Sequence, residues 1–143
     1  MLIYIVNLIF VALAGLIQNT NLLVFEGVKP NLVLVLLLTL GFFYRNWFRR
    51  IIFILVGAFF LKFSPVIEVE DLFFITAVSA GLFFLDYLPW RKTISFTTVL
   101  VLATLILNLR AFSLFRFSVE LLMNLGFAAL FLLIFKWTHA KEK

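Results

Sequence analysis

Six stretches of the chain are almost entirely apolar, and they constrain its fold more than any other feature. Their lengths are close to the roughly 17–25 residues that a helix needs to cross the hydrocarbon core of a bilayer. The predicted spans are 2–17, 30–44, 51–67, 72–90, 93–109 and 119–137. The segments between the spans are too short for a soluble domain, so we predict one integral membrane domain that covers residues 1–143.

The amino-acid composition favours the same class. The chain has 143 residues, of which 65% are hydrophobic and 13% are charged. Soluble domains are about half apolar and about a quarter charged, and small ones leave much of their chain at the surface. A soluble protein of this size could not cover so much apolar surface, which predicts an all-α, polytopic membrane protein with a compact bundle of six transmembrane helices.

Strands of a membrane β-barrel are the rival architecture. Such strands alternate apolar and polar residues, because one face meets lipid and the other meets the lumen. The stretch "LVLVLLLTLGFF", residues 32–43, is apolar on both faces. Because a helix satisfies its own backbone hydrogen bonds in lipid, the helical reading is preferred.

Basic and aromatic residues gather at one set of span ends. Basic residues are enriched in cytoplasmic loops, and tryptophan and tyrosine prefer the membrane interface. The predicted interface anchors are Arg45, Trp47, Arg49, Arg50, Trp90, Arg91, Lys92 and Trp137. We therefore expect both termini to be cytoplasmic. Interleaved basic and aromatic residues are also typical of nucleic-acid binding, but this cluster is short and flanked by spans, so no nucleic-acid partner is predicted.

The first span could in principle be a cleaved signal peptide, with "ALAG" at residues 12–15 as its small-residue site. The positively charged region that normally precedes such a segment is missing, and no soluble domain follows. We expect the first span to be retained.

Among the ionisable residues inside predicted spans, Lys62 and Asp86 stand out. Charged groups are costly within a bilayer, so each is a candidate for partner binding. Asp86 is only about 6 Å of helical rise from Trp90, which predicts a solvated carboxylate close to Arg91 and Lys92. The same rise places Lys62 about 10 Å further out, so a direct pair between Lys62 and Asp86 is not expected.

Signatures of catalysis and of metal binding are absent from the sequence. It has no cysteine, and its one histidine lies in the charged tail. It also lacks HExxH, P-loop and GxGxxG motifs. We predict no catalytic residue, no metal site and no cofactor, and we expect a protein that is not an enzyme.

The first two spans resemble the start of the rod shape-determining protein MreD family. In that family an apolar first helix ends near a glutamine, and a short turn leads to a Pro-Asn or Pro-Asp pair that opens the second helix. The matching residues here are Gln18, Val24, Phe25, Pro30 and Asn31. "VGAFF" at 56–60 and the last helix with its basic tail are also similar. One departure concerns an aspartate common late in the third span of the family, where this chain has Leu61 or Lys62.

The resemblance implies a noncatalytic scaffold subunit of the bacterial wall-elongation complex, located in the plasma membrane. Its partners would be membrane lipid, an MreC-like protein, the actin-like MreB, and the polymerase and transpeptidase that build peptidoglycan. The mechanism would be helix–helix docking within the bilayer. Pro30, Asn31, Lys62 and Asp86 are the candidate partner-binding residues on this reading.

The alternative function is the substrate-binding membrane subunit of an energy-coupling-factor vitamin transporter, which is also a small six-helix protein. Such a subunit should have a polar pocket that faces outward beneath its outer loops. The candidate pocket residues are Asn19, Asn21, Glu68, Glu70, Asp71 and Arg110.

Overall fold

The computed structural model describes residues 2–20, 22–62, 68–109 and 112–140, and these ranges contain six α-helices and no β-strand. The predicted all-α class is confirmed to this extent. The helices are α1 (Leu2–Asn19), α2 (Leu32–Phe43), α3 (Trp47–Lys62), α4 (Val69–Tyr87), α5 (Lys92–Asn108) and α6 (Leu114–Ala140).

The helix boundaries differ from the predicted spans by a few residues. α3 begins at Trp47 and not at residue 51, because Asn46 caps it by accepting a hydrogen bond from the Phe48 amide at 2.9 Å. α4 ends at Tyr87, since Pro89 disfavours a helical conformation at Leu88. α6 begins at Leu114, five residues before the predicted start at 119. Residues 63–67 of the third predicted span lie outside the described residues.

A tight turn connects α1 to α2. The backbones of Phe25 and Val28 exchange two hydrogen bonds of 2.9 Å. Between them Glu26 and Gly27 have φ angles of 50° and 78°, the left-handed pair that a type I′ turn requires. Glycine adopts this conformation without strain, so the turn folds locally and delivers the buried Pro30 to the start of α2.

α2 is the central helix of the bundle. All its residues from Leu32 to Gly41 are buried. Its neighbours are α1, α3, α4, α5 and α6, which follow one another around it in the order α1, α3, α4, α5, α6. A helix that is apolar all round is suited to this position, because every face meets apolar side chains.

The ring of helices around α2 is not closed. Within the described residues, each helix of the ring contacts the next, except that α6 does not contact α1. A cavity of about 150 Å³ lies between these two helices and reaches Leu36 of α2. We call this gap the seam; its walls include Val6, Phe10 and Phe131.

Close contact between α1 and α3 depends on a glycine. A Cβ at Gly15 would lie 2.7 Å from the Phe60 Cβ and 3.0 Å from the Phe60 backbone carbon. Real Cβ atoms do not approach this closely, so only glycine fits. Small residues of this kind let helices pack with their backbones near each other.

The outward faces of the helices are apolar. Phe10, Phe48, Phe83 and Leu133 are among the large apolar side chains that are about half exposed or more. Two helical segments, Leu2–Asn19 and Leu114–Thr138, are long and apolar enough to cross a membrane. α2 and α5 are apolar but shorter.

Successive helices run in opposite directions, so the bundle has two ends. The basic end holds the start of α1, α3 and α5 and the finish of α2, α4 and α6, with Arg45, Arg49, Arg50, Arg91, Lys92 and Lys136. The far end holds Glu26, Glu68, Glu70, Asp71 and Glu120 among its charged residues.

Candidate functional site

A network of polar side chains lies at the far end, around the first turn of α2. Gln18 of α1 accepts a hydrogen bond from the Val33 amide at 3.0 Å and donates to the Asn31 side chain at 3.3 Å. Asn31 accepts from the Leu34 amide at 3.1 Å, as a helix N-cap does. The first amide groups of α2 are therefore satisfied by side chains.

Asn124 of α6 extends this network across the bundle. Its side-chain oxygen accepts from the Asn31 backbone amide at 2.8 Å, and its side-chain nitrogen donates to the Thr104 hydroxyl at 3.2 Å. Both Asn124 and Thr104 are 0% exposed. Asn108 continues the chain of contacts by donating to Glu120 at 2.9 Å. Four helices, α1, α2, α5 and α6, are joined in this way.

A polar cavity of about 280 Å³ lies beside the network. Gln18, Asn19, Asn31, Glu70 and Asp71 contribute to its wall. Asn19 is held in place by donating to the Phe60 carbonyl at 2.9 Å. The wall of the cavity therefore contains amide and carboxylate side chains.

An ion pair between a buried arginine and a partly exposed aspartate lies towards the basic end. Arg50 of α3 is 1% exposed, and its guanidinium donates to both carboxylate oxygens of Asp86 at 2.5 and 2.9 Å. It also donates to the Gly41 carbonyl at 2.7 Å and to the Tyr44 carbonyl at 2.6 Å. These carbonyls end α2, where a cation is favoured by the helix dipole and by unpaired acceptors.

One sequence prediction is corrected by this pair. Arg50 was predicted to be an interface anchor, but its side chain is buried beneath Trp47, whose ring centroid lies 5.1 Å from the guanidinium carbon. Asp86 was predicted to be a solvated carboxylate near Arg91 and Lys92; its side chain is 26% exposed, and it pairs with Arg50. A guanidinium buried among apolar helices needs such a partner, because an unpaired buried charge is costly.

The other predicted anchors lie at the basic end with exposed side chains: Arg45, Trp47, Arg49, Trp90, Arg91, Lys92 and Trp137. Arg49 packs over two aromatic rings, with its guanidinium carbon 5.6 Å from the centre of Tyr4 and 5.9 Å from that of Tyr44. Tyr44 in turn accepts a hydrogen bond from Asn7 at 2.9 Å. The cluster fixes the start of α1 against the end of α2.

The predicted partner-binding residues are used in different ways. Pro30 is buried and Asn31 bonds within the bundle, so both serve the fold directly. Lys62 is the last residue of α3, and its side chain falls outside the described residues.

The residues proposed for a vitamin site divide similarly. Asn19, Glu70 and Asp71 line the 280 Å³ cavity. Glu68 instead starts α4, where its amide donates to the Asp71 carboxylate at 2.9 Å. Asn21 and Arg110 lie outside the described residues. Across the described ranges, no group of three or more His, Cys, Asp or Glu residues is placed to hold a metal ion.

Sequence reasoning missed the polar contacts of α5 and α6, although a signal was present. Thr104 and Asn108 are four residues apart on α5, and Glu120 and Asn124 are four apart on α6. Residues at this spacing share one face of a helix. Two such polar faces in otherwise apolar helices predict that the faces meet, as the Asn108–Glu120 and Asn124–Thr104 bonds show.

Comparison of the chain with known protein families, with characterised proteins and with solved structures gives no match.

Proposed function

We propose that this protein is a noncatalytic membrane scaffold subunit of the bacterial wall-elongation complex, as its resemblance to the MreD family implies. It lies in the plasma membrane as a six-helix bundle with both termini in the cytoplasm. It acts by docking helices of an MreC-like protein and of the wall-synthesis polymerase and transpeptidase. The observation that carries this proposal is a bundle with an apolar exterior and an apolar seam between its first and last helices.

Placement in a membrane is supported by where the apolar side chains point. A buried core helix of a soluble protein also passes a test of length and composition, but its residues are mostly covered. Here only 22% of the candidate span in α1 and 11% of that in α6 is buried. Lipid is the surrounding that makes such exterior faces favourable.

The resemblance gains support from the contacts of the residues that carry it. Gln18 lies before the turn between α1 and α2, and Asn31 lies after it. Their side chains hydrogen bond to each other and to the first amides of α2. Pro30 is buried beside them. Gln18, Pro30 and Asn31 therefore share one structural task, which is to hold the start of α2. Matches that serve one task support a resemblance better than matches with unrelated roles.

The seam supplies the docking position. Its two walls are α1 and α6, and its lining is apolar apart from Asn7 and Thr138. We assign it to one apolar transmembrane helix of the MreC-like partner. Such a helix would lie along the seam against α1 and α6, and van der Waals packing would drive its association.

Photo-crosslinking in living bacteria tests this assignment. A photoreactive amino acid replaces Phe10 in the seam or, as a matched control, Phe83 on the outer face of α4; both phenylalanines are 49% exposed. We expect the Phe10 variant to crosslink the MreC-like protein and the Phe83 variant to crosslink little besides lipid. Equal capture from both positions, or capture of no wall-synthesis protein from Phe10, would contradict the proposal.

A second function is favoured by one observation, the polar cavity of about 280 Å³ at the far end. A substrate-binding subunit of an energy-coupling-factor transporter would use Asn19, Glu70 and Asp71 to hold a vitamin. The volume is slightly below the roughly 300–1,000 Å³ of typical small-molecule sites, which is why we prefer the scaffold. Retention of a radiolabelled vitamin by the purified protein, lost on changing Asn19→Ala, would reverse this preference.

A further inference from the structure

A separate cavity lies at the basic end, between the finish of α4 and the start of α5. Its volume is about 200 Å³, and its wall includes Arg45, Asp86, Trp90, Lys92 and Ser95. It is distinct from the seam and from the far-end cavity, with which it shares no lining residue.

The charges around this cavity leave an excess of cations. Asp86 is the one acidic residue in its wall, and Arg50 occupies both of its carboxylate oxygens. Arg45 and Lys92 are exposed, and in the part of the chain that the structure describes neither forms an ion pair. The two cations are therefore available to an anion.

The start of α5 adds backbone donors to this wall. α5 begins at Lys92, and its N-cap residue Arg91 makes no side-chain capping hydrogen bond. The first amide groups of a helix have no partner within the helix, and together with the helix dipole they attract anions. This feature alone is common to many helices.

Ser95 distinguishes this cavity from the start of an ordinary helix. Its side chain is 2% exposed, and its hydroxyl has no hydrogen-bond partner among the described residues. Thr97, two residues further along α5, bonds back to the Thr93 carbonyl at 3.0 Å, as hydroxyls in helices commonly do. An unpaired buried hydroxyl is costly, so a group that accepts a hydrogen bond from it would stabilise the site.

We propose that this cavity binds the phosphate group of an anionic phospholipid such as phosphatidylglycerol. Arg45 and Lys92 neutralise its charge, and Ser95 and the first amides of α5 donate hydrogen bonds to its oxygens. Trp90, which is 51% exposed, lies at the margin, where an indole ring packs against the glycerol and upper acyl region. The inference requires membrane placement but not the scaffold role. A free phosphate ion shares this chemistry, and the experiment separates the two sources.

Quenching of Trp90 fluorescence measures the binding. Trp47→Phe and Trp137→Phe leave Trp90 as the single tryptophan of the full-length chain. The protein is reconstituted in phosphatidylcholine vesicles, and brominated phosphatidylglycerol is added in increasing mole fraction. We expect quenching that saturates at a low mole fraction, whereas brominated phosphatidylcholine should quench only in proportion to its amount.

Variants then identify the binding groups. The Arg45→Gln/Lys92→Gln pair should raise the half-saturating mole fraction about fivefold for each cation removed, since a basic residue near anionic lipid contributes about 1 kcal/mol. The matched control is Arg49→Gln/Lys136→Gln, which removes two exposed cations of the same end that do not line the cavity. The control should bind as the parent does.

Ser95→Ala separates a loss of binding from a loss of folding. Because the hydroxyl has no partner within the described protein, its removal should leave the melting temperature unchanged or raised. Its half-saturating mole fraction should nevertheless rise about tenfold, the effect of losing one hydrogen bond to a charged group.

The outcomes decide both the site and its ligand. Millimolar inorganic phosphate that blocks quenching, with the same sensitivity to the variants, would support the site and assign it to soluble phosphate. Quenching that is equal in the Arg45→Gln/Lys92→Gln pair and in its control would overturn the proposal. So would unchanged binding by Ser95→Ala.

Discussion

Arg50 joins three helices through one side chain. It belongs to α3, its guanidinium binds the Asp86 carboxylate of α4, and it also binds the carbonyls of Gly41 and Tyr44 at the finish of α2. The carbonyls that a helix leaves unpaired at its end are thereby satisfied. At the far end Asn31 and Gln18 do the same for the first amides, so both ends of α2 are satisfied by side chains.

Changing Arg50→Met should destabilise the fold by about 1–3 kcal/mol, because the Gly41 and Tyr44 carbonyls and the Asp86 carboxylate would lose their partner. Thermal unfolding in detergent, followed by intrinsic fluorescence, measures the loss. The double variant Arg50→Met/Asp86→Leu should regain only part of the melting temperature, since it removes the unpaired carboxylate but leaves the two carbonyls without Arg50. Arg49→Met is the matched control, because Arg49 is exposed and, among the described residues, packs over the Tyr4 and Tyr44 rings. An equal loss in Arg49→Met would show that the hydrogen bonds and the ion pair of Arg50 are unimportant.

Asn124→Ala should lower the free energy of unfolding by about 1–3 kcal/mol, because the Asn31 amide and the Thr104 hydroxyl would lose a buried partner. Ser118→Ala on the same helix is the control. Its hydroxyl is exposed and bonds only to the Leu114 carbonyl, so its removal should change the unfolding midpoint little. The same detergent unfolding experiment compares the two.

At the scale of elements, the position of α2 could not be predicted from the sequence. All six apolar stretches were found, since a long uncharged run is a strong signal. The sequence did not indicate which of the six is central, because in a membrane protein the positions that face lipid and those that face protein are both apolar. In a soluble protein the fully apolar α2 would have stood out from amphipathic neighbours.

The pairing of α3 with α4 could have been anticipated in part. Arg50 lies three residues after the start of α3, and Asp86 lies one residue before the end of α4. Counting rise from the same end of the bundle places them within about 3 Å of the same depth. The basic cluster around Arg50 instead suggested an interface role, since three neighbouring arginines resemble a uniform patch. Depth along the helix was the more informative quantity.

Close packing of α1 on α3 gives a prediction at the scale of the helix pair. Gly15→Ala should destabilise the bundle by about 1–3 kcal/mol, because the new Cβ would overlap Phe60 and force the helices apart. Gly126→Ala on α6 is the control, since its Cβ would meet no atom within 4 Å. That change should stabilise α6 by about 0.5–1 kcal/mol through helix propensity. Differential scanning fluorimetry of both proteins gives the comparison; a stable Gly15→Ala protein would contradict the packing argument.

At the scale of the whole molecule, the two ends of the bundle differ in charge. Most of the basic side chains and the tryptophan and tyrosine side chains lie at one end, and most of the acidic side chains lie at the other. The same asymmetry was read from the sequence, because charge and aromatic residues mark span ends whatever the packing within. The seam and the cavities could not be read in this way, since they depend on which helices are neighbours.

Cysteine accessibility tests the proposed orientation. The chain has no cysteine, so a single one can be introduced without background. Pro89→Cys lies at the basic end and Lys29→Cys at the far end, and both positions are exposed. A membrane-impermeant maleimide should label Lys29→Cys in intact cells and Pro89→Cys only after the cells are opened. The reverse pattern would invert the orientation that we propose.

The enclosed position of α2 bears on how the chain is made. Ribosomes would deliver this segment second, yet its cover becomes complete only when α6 has emerged. In water a core segment that stayed uncovered until the last helix was made would tend to aggregate. In a bilayer the acyl chains are as apolar as leucine, so the waiting helix incurs little penalty. If the chain assembles within lipid, as we propose, late enclosure of α2 is tolerable, and the other helices can pack around it in order of synthesis.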